Sequence, residues 1–136
     1  TRLNSQPDYS SIMTKRYTMK ILLDFAAAHY LRNYEGVCNR LHGHNWKVEV
    51  QVTATELDHV GMDFKVIKDA TRELIGNLDH YNLNDIPPFD KINPTAENIS
   101  AYLYGELSAK LNTDSVKVSA VTLWETDRAC VTYTEE

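Results

Sequence analysis

Fourteen consecutive residues, His42 to Thr55 (HGHNWKVEVQVTAT), alternate in polarity with a period of two. His42, His44, Trp46, Val48, Val50 and Val52 share one face, while Lys47, Glu49, Gln51 and Thr53 take the other. In an extended strand successive side chains point to opposite sides, so this run reads as a strand with one buried face. It is the strongest strand signal in the chain, and it places both histidines on the apolar side.

The other elements follow from this one. Tyr17 to Tyr30 (YTMKILLDFAAAHY) has β-formers early and an alanine run late, and predicts a strand ending close to His29. Leu31 to Leu41 reads as a loop, and Asp58 to Gly61 as a turn in which His59 is solvated. Asp63 is placed to cap a helix whose apolar stripe runs Phe64, Ile67, Thr71, Leu74 and Leu78. Residues 79–94, rich in Asn, Asp and Pro, predict a loop. Thr95 can cap a second helix with Ile99, Leu103, Leu107 and Leu111 along one side. Val116 to Glu125 and Ala129 to Thr134 predict a closing pair of strands around Asp127-Arg128. The order is ββααββ, an α+β domain over residues 16–136 behind a polar arm at residues 1–15.

Composition bounds the function. With 136 residues, 43% apolar and 24% charged, the chain fits one globular domain. A net charge of −5 without a basic stripe argues against nucleic acid as a partner, and leaves room for a phosphorylated small substrate. Two cysteines, Cys38 and Cys130, do not make a disulfide framework. No leader or long apolar run is visible, so the expectation is a cytoplasmic protein without a membrane partner.

The chemistry gathers in Cys38-Asn-Arg-Leu-His42-Gly43-His44. Strand parity lets His42 and His44 reach one metal, with Gly43 between them allowing another backbone or a ligand close. A catalytic site with an open position needs a third nitrogen, and His29 at the end of the preceding strand can supply it. H-x-H alone is also the pattern of two ordinary strand histidines with satisfied hydrogen bonds. Imidazole ligands suit zinc, and by type also copper, nickel or iron. Cys38 has two readings: a fourth ligand closing a structural site, or a thiolate base beside an open one. Cys130 reads as a small core residue. Asp79-His80 can form a proton relay, or can simply end a helix with the imidazole near its dipole. Glu125 at the end of a strand is either unremarkable or a carboxylate able to accept two hydrogen bonds from a pterin or guanine edge.

CNRLHGH, LDHYNLND, NPTAEN and the strand ending WET, in this order, resemble the 6-pyruvoyl tetrahydropterin synthase superfamily. The resemblance runs from about Tyr17 to the end of the chain. It is closest to the bacterial branch that makes 6-carboxy-5,6,7,8-tetrahydropterin for queuosine, because that branch carries the short C-x-x-x-H-G-H spacing. It implies zinc on His29, His42 and His44, Cys38 as general base, Asp79 and His80 as the relay, Glu125 as the anchor of the pterin ring, and Thr95 lining the pterin pocket. It also implies the tunnelling fold, a four-stranded antiparallel sheet with two helices on one face. Copies would join edge to edge into a barrel, a hexamer of two trimers with active sites at the interfaces. The implied substrate is 7,8-dihydroneopterin triphosphate, with Arg40, Lys47 and Lys65 as phosphate-binding candidates by charge alone. Rival expectations are the pyruvoyl product, in which the carbon chain is kept, and a non-catalytic zinc- or pterin-binding module.

Overall fold

The computed structural model describes residues 15–55 and 63–136. The polar arm except Lys15, and the turn holding His59, lie outside the described residues. The first strand, β1 (Tyr17–His29), pairs antiparallel with β2 (His42–Ala54) along its whole length, from Tyr17↔Ala54 to His29↔His42. The connecting loop tightens into a single 3₁₀ turn at Val37–Asn39. Helix α1 (Phe64–Gly76) begins where Asp63 accepts a hydrogen bond from the Lys65 amide, the cap its sequence predicts. Helix α2 (Ala96–Leu111) begins in the same way, with the Thr95 hydroxyl accepting from the Asn98 amide.

The sheet has five strands in the order β3-β1-β2-β4-β5, not four. The extra one, β3 (Tyr81–Asn82), is a two-residue edge strand parallel to β1, inside the segment whose composition predicts loop. It is too short for periodicity to register. β4 (Val116–Thr126) and β5 (Ala129–Tyr133) close the sheet as a hairpin.

One face of the sheet forms the core with both helices. Trp46, Val48, Val50 and Val52 of β2 are fully buried against Ile67 and Leu74 of α1 and Ile99, Leu103 and Leu107 of α2. Burying each such side chain contributes about 1.5–3 kcal/mol, which makes this stripe the main support of the fold. Among the described residues the opposite face carries no helix, and Lys20, Leu22, Asp24, Asn45 and Lys47 on it are exposed. Cys130 belongs to that open face. Its place on the edge strand, opposite Trp124, leaves it exposed rather than in the core.

β4 contains an irregularity that matters for the site. Val118 pairs with Val52 and Ala120 with Gln51, so Ser119 is an extra residue, a β-bulge. Its hydroxyl accepts from Thr53 Oγ1 at 2.9 Å and donates to the Gln51 carbonyl at 3.2 Å, pinning the bulge to β2. Before it, Val116 and Val118 face the core; after it, Val121 and Leu123 do. The bulge keeps both halves of β4 in phase with β2.

Candidate metal centre

The core face of the sheet ends in three histidines. His29 is the last residue of β1, and register places it opposite His42, with His44 opposite Ala27. The ring centroids stand 4.6 Å (His29–His42), 5.2 Å (His29–His44) and 4.9 Å (His42–His44) apart. One nitrogen of each ring lies within 4.8 Å of the others. Trp46 is fully buried beneath them, edge-on to His29 and His44.

Two carbonyls set the tautomers. His29 Nδ1 lies 2.7 Å from the Pro94 carbonyl and His42 Nδ1 2.7 Å from that of Arg40. A carbonyl only accepts, so each Nδ1 carries a proton, and in the neutral ring Nε2 is then the atom with a free lone pair. His29 Nε2 and His44 Nε2 are buried without a hydrogen-bond partner among the described residues. A buried polar atom left unpaired costs roughly 1–3 kcal/mol, so this is not a pair of satisfied strand histidines. Burial, foremost, and the neighbouring imidazole of His42 hold His29 and His44 below the ordinary histidine range, although Glu125 and, for His29, the Pro94 hydrogen bond work in the other direction. Neutral imidazoles offering convergent Nε2 atoms are what a divalent metal of borderline softness requires, and the donor set fits zinc.

Glu125 completes the neighbourhood. Its carboxylate oxygens stand 4.0 Å from His29 Nε2 and 3.8 Å from His44 Nε2. Strict alternation from Val116 would have turned it to the open face; the bulge at Ser119 brings it to the histidines. The shift of apolar residues from even to odd positions at Ser119-Ala120 is the sequence signal for this, and it is missed when the strand is read as uninterrupted.

Cys38 is half-buried in the 3₁₀ turn ahead of β2, where its carbonyl accepts from the Leu31 amide at 2.8 Å. The group of converging ligands consists of the histidines and does not include the thiol. Asp79 and His80 do form a carboxylate–imidazole contact, His80 Nδ1 to Asp79 Oδ1 at 3.0 Å. Both are tied to the edge of β1: Asp79 Oδ1 accepts from the Ala26 amide at 2.9 Å, and the His80 amide donates to the Ala26 carbonyl at 2.6 Å. These bonds hold His80 at φ 65°, in the left-handed region. The pair lies along an open groove at the β1 edge, lined by Ala26, Ala28, Gly43 and Asn45 and bordered by Ala27 and His44. Among the described residues the group of converging ligands does not include Asp79 or His80.

Several smaller expectations resolve here. The Thr95 hydroxyl is engaged as the α2 cap. Lys47 pairs with Asp127 at 3.3 Å and Lys65 with Asp69 at 2.6 Å. Among the described residues, a Cβ built at Gly43 would meet nothing nearer than the Ala27 carbonyl at 3.9 Å, so none of them requires the glycine. The residues that sequence reasoning missed are Pro94, which sets the His29 tautomer, and the asparagines and Arg32 around it. A carbonyl has no sequence signature, and an asparagine in a loop looks like turn chemistry.

Comparisons with known proteins give the family. The sequence model of the 6-pyruvoyl tetrahydropterin synthase family matches residues 18–136, and the chain belongs to that family. Among curated relatives, the 6-carboxy-5,6,7,8-tetrahydropterin synthase of Synechocystis sp. is 41% identical over 90 residues, 61% of this chain and 68% of the relative. Proteins of the same name from Bacillus subtilis (34% over 106 residues, 73% and 70%) and Rickettsia typhi (32% over 130 residues, 80% and 94%) also match. Among solved structures, the Caenorhabditis elegans 6-pyruvoyl tetrahydropterin synthase superposes with a TM-score of 0.80 at 27% identity, over 90% of this chain and 98% of the other.

Proposed function

We propose that the chain is a zinc-dependent 6-carboxy-5,6,7,8-tetrahydropterin synthase, converting 7,8-dihydroneopterin triphosphate to 6-carboxytetrahydropterin, acetaldehyde and triphosphate for queuosine biosynthesis in the cytoplasm. The observation that carries the reading is the convergence of three imidazoles with unpartnered Nε2 atoms beside a carboxylate. Relatives at 31–41% identity that bear the name of this synthase support the choice of product.

His29, His42 and His44 would hold the zinc, which when bound supplies a Lewis acid toward the hydroxyls of the substrate side chain. Cys38, as thiolate, would take a proton from that side chain. Glu125 would accept two hydrogen bonds from the amino–imino edge of the ring and so fix the side chain relative to the histidines. His80, oriented through Nδ1 by Asp79, would exchange protons at Nε2. Because that pair is not part of the group that converges in its own chain, it would serve the site of a neighbouring copy in a barrel-shaped hexamer. The outer edges of β3 and β5, unpaired among the described residues, would give such an assembly its seams.

The likeness to the nematode structure favours a second reading, the pyruvoyl product. One assay separates the two: zinc-loaded protein incubated with dihydroneopterin triphosphate, with products resolved by mass. Acetaldehyde and the carboxy-pterin are expected; a pyruvoyl pterin retaining the carbon chain would establish the second reading. Cys38→Ala is expected to abolish turnover while zinc is retained, and His42→Ala to lose the zinc.

A further inference from the structure

The chain leaving His29 is held by side chains that imitate a neighbouring strand. Asn84 Oδ1 accepts from the Tyr30 amide at 2.9 Å while its Nδ2 donates to the Tyr30 carbonyl at 3.0 Å. Two residues on, Asn93 repeats the pattern: its Oδ1 accepts from the Arg32 amide at 2.8 Å and its Nδ2 donates to the Arg32 carbonyl at 3.0 Å. Tyr30 and Arg32 have the same strand parity, so the two amides take the place of an edge strand where β3 has ended. The Arg32 guanidinium returns the contact, donating to the carbonyls of Phe89 at 2.8 Å, Ile92 at 3.2 Å and Asn84 at 3.3 Å.

Besides holding Tyr30 next to His29, this lattice reaches the metal centre through a backbone carbonyl. Asn93 is fixed at both ends, because its own carbonyl accepts from Asn98 Nδ2 at 2.9 Å and from the Thr95 amide at 2.9 Å. The next carbonyl along the chain, that of Pro94, is the acceptor for His29 Nδ1. Outer-shell acceptors of this kind set the tautomer and the ring orientation of a metal-ligating histidine.

We propose that Asn93 is a positioning residue of the metal centre: by clamping Arg32 and anchoring the following peptide, it holds the Pro94 carbonyl where it directs His29 Nε2 toward His42 and His44. The side chain touches neither metal nor substrate. Its effect is on how well the site is preorganised before the ion arrives.

The inference rests on the metal reading above, and its test is binding rather than turnover. Zinc affinity is measured by competition with a chromophoric chelator, cobalt(II) absorption reports ligand geometry, and melting of the metal-free form reports stability. Asn93→Ala is expected to weaken zinc binding about 10–100-fold and to alter the cobalt spectrum. Asn93→Asp keeps the acceptor for the Arg32 amide but loses the donor to its carbonyl, and should fall between wild type and Asn93→Ala. Leu111→Ala, a core truncation at the far end of α2, controls for stability: its metal-free form should melt lower with zinc affinity unchanged. If Asn93→Ala lowers melting and keeps wild-type affinity and spectrum, the residue is a loop staple and the proposal is overturned. Should Asn93→Ala not fold, wild-type affinity in Asn93→Asp overturns it equally. Failure of the wild-type chain itself to bind zinc would overturn the metal reading and this inference together.

Discussion

A single carboxylate oxygen at Asp79 accepts from the Ala26 amide and stands 3.0 Å from His80 Nδ1. The amide hydrogen bond, foremost, and the imidazole hold this carboxyl below its ordinary value of 3.8. A group depressed in the folded state stabilises above its unfolded value, and that contribution is lost as pH falls through the folded value. Asp79→Asn should therefore melt below wild type at neutral pH by a small amount, the side chain being partly exposed. The gap should close as pH drops below 3.8; a constant gap in thermal melts down to acid pH would show that the charge plays no part. At this scale much of the site is legible in sequence, because metal ligands and a carboxylate–imidazole pair are side-chain chemistry. His42 and His44 follow from parity alone. His29 needed the β1–β2 register, and the Pro94 carbonyl, being backbone, left no trace in residue identity.

The helices show how far caps and stripes carry. Asp63 and Thr95 cap where their sequences predict, and the α2 stripe is buried at Ile99, Leu103, Leu107 and Leu111. Leu103→Ala should cost about 2–5 kcal/mol in urea unfolding, the range for a large-to-small change at a fully buried site. Thr95→Ala should cost only about 1 kcal/mol, the loss of one cap. If Thr95→Ala instead left stability unchanged and raised KM, the hydroxyl would belong to the substrate rather than to the helix. Strands were harder to read. β2 declares itself by alternation, β1 by its β-formers and alanine run, and β4 at close to its observed bounds, Val116–Thr126. What went unread is the two-residue β3 and the change of phase inside β4 at Ser119, since periodicity needs a run of constant phase.

For the molecule as a whole, the separation of triad and relay makes a prediction about mixtures. Cys38→Ala and His80→Ala chains should each be inactive alone. Unfolded together and co-assembled in equal amounts, they should regain turnover at roughly a quarter of the sites, those pairing an intact Cys38 from one copy with an intact His80 from another. Recovery no greater than the separate variants would place both groups in one chain's site. Subunit arrangement was not legible from spacing, because a strand edge does not say which other edge would meet it.

Ser119 has one more consequence, and it concerns chain length rather than chemistry. An extra residue lying outside the ladder works as an expansion joint: the pairs on either side, Val118 with Val52 and Ala120 with Gln51, do not depend on it. A gene losing that codon would forfeit two hydroxyl contacts, yet Leu123 would still oppose Val48 and Glu125 would still look toward the histidines. The same loss a few residues later, inside the regular ladder, would turn Glu125 to the open face. At Ser119 the length of the strand can drift without the site noticing.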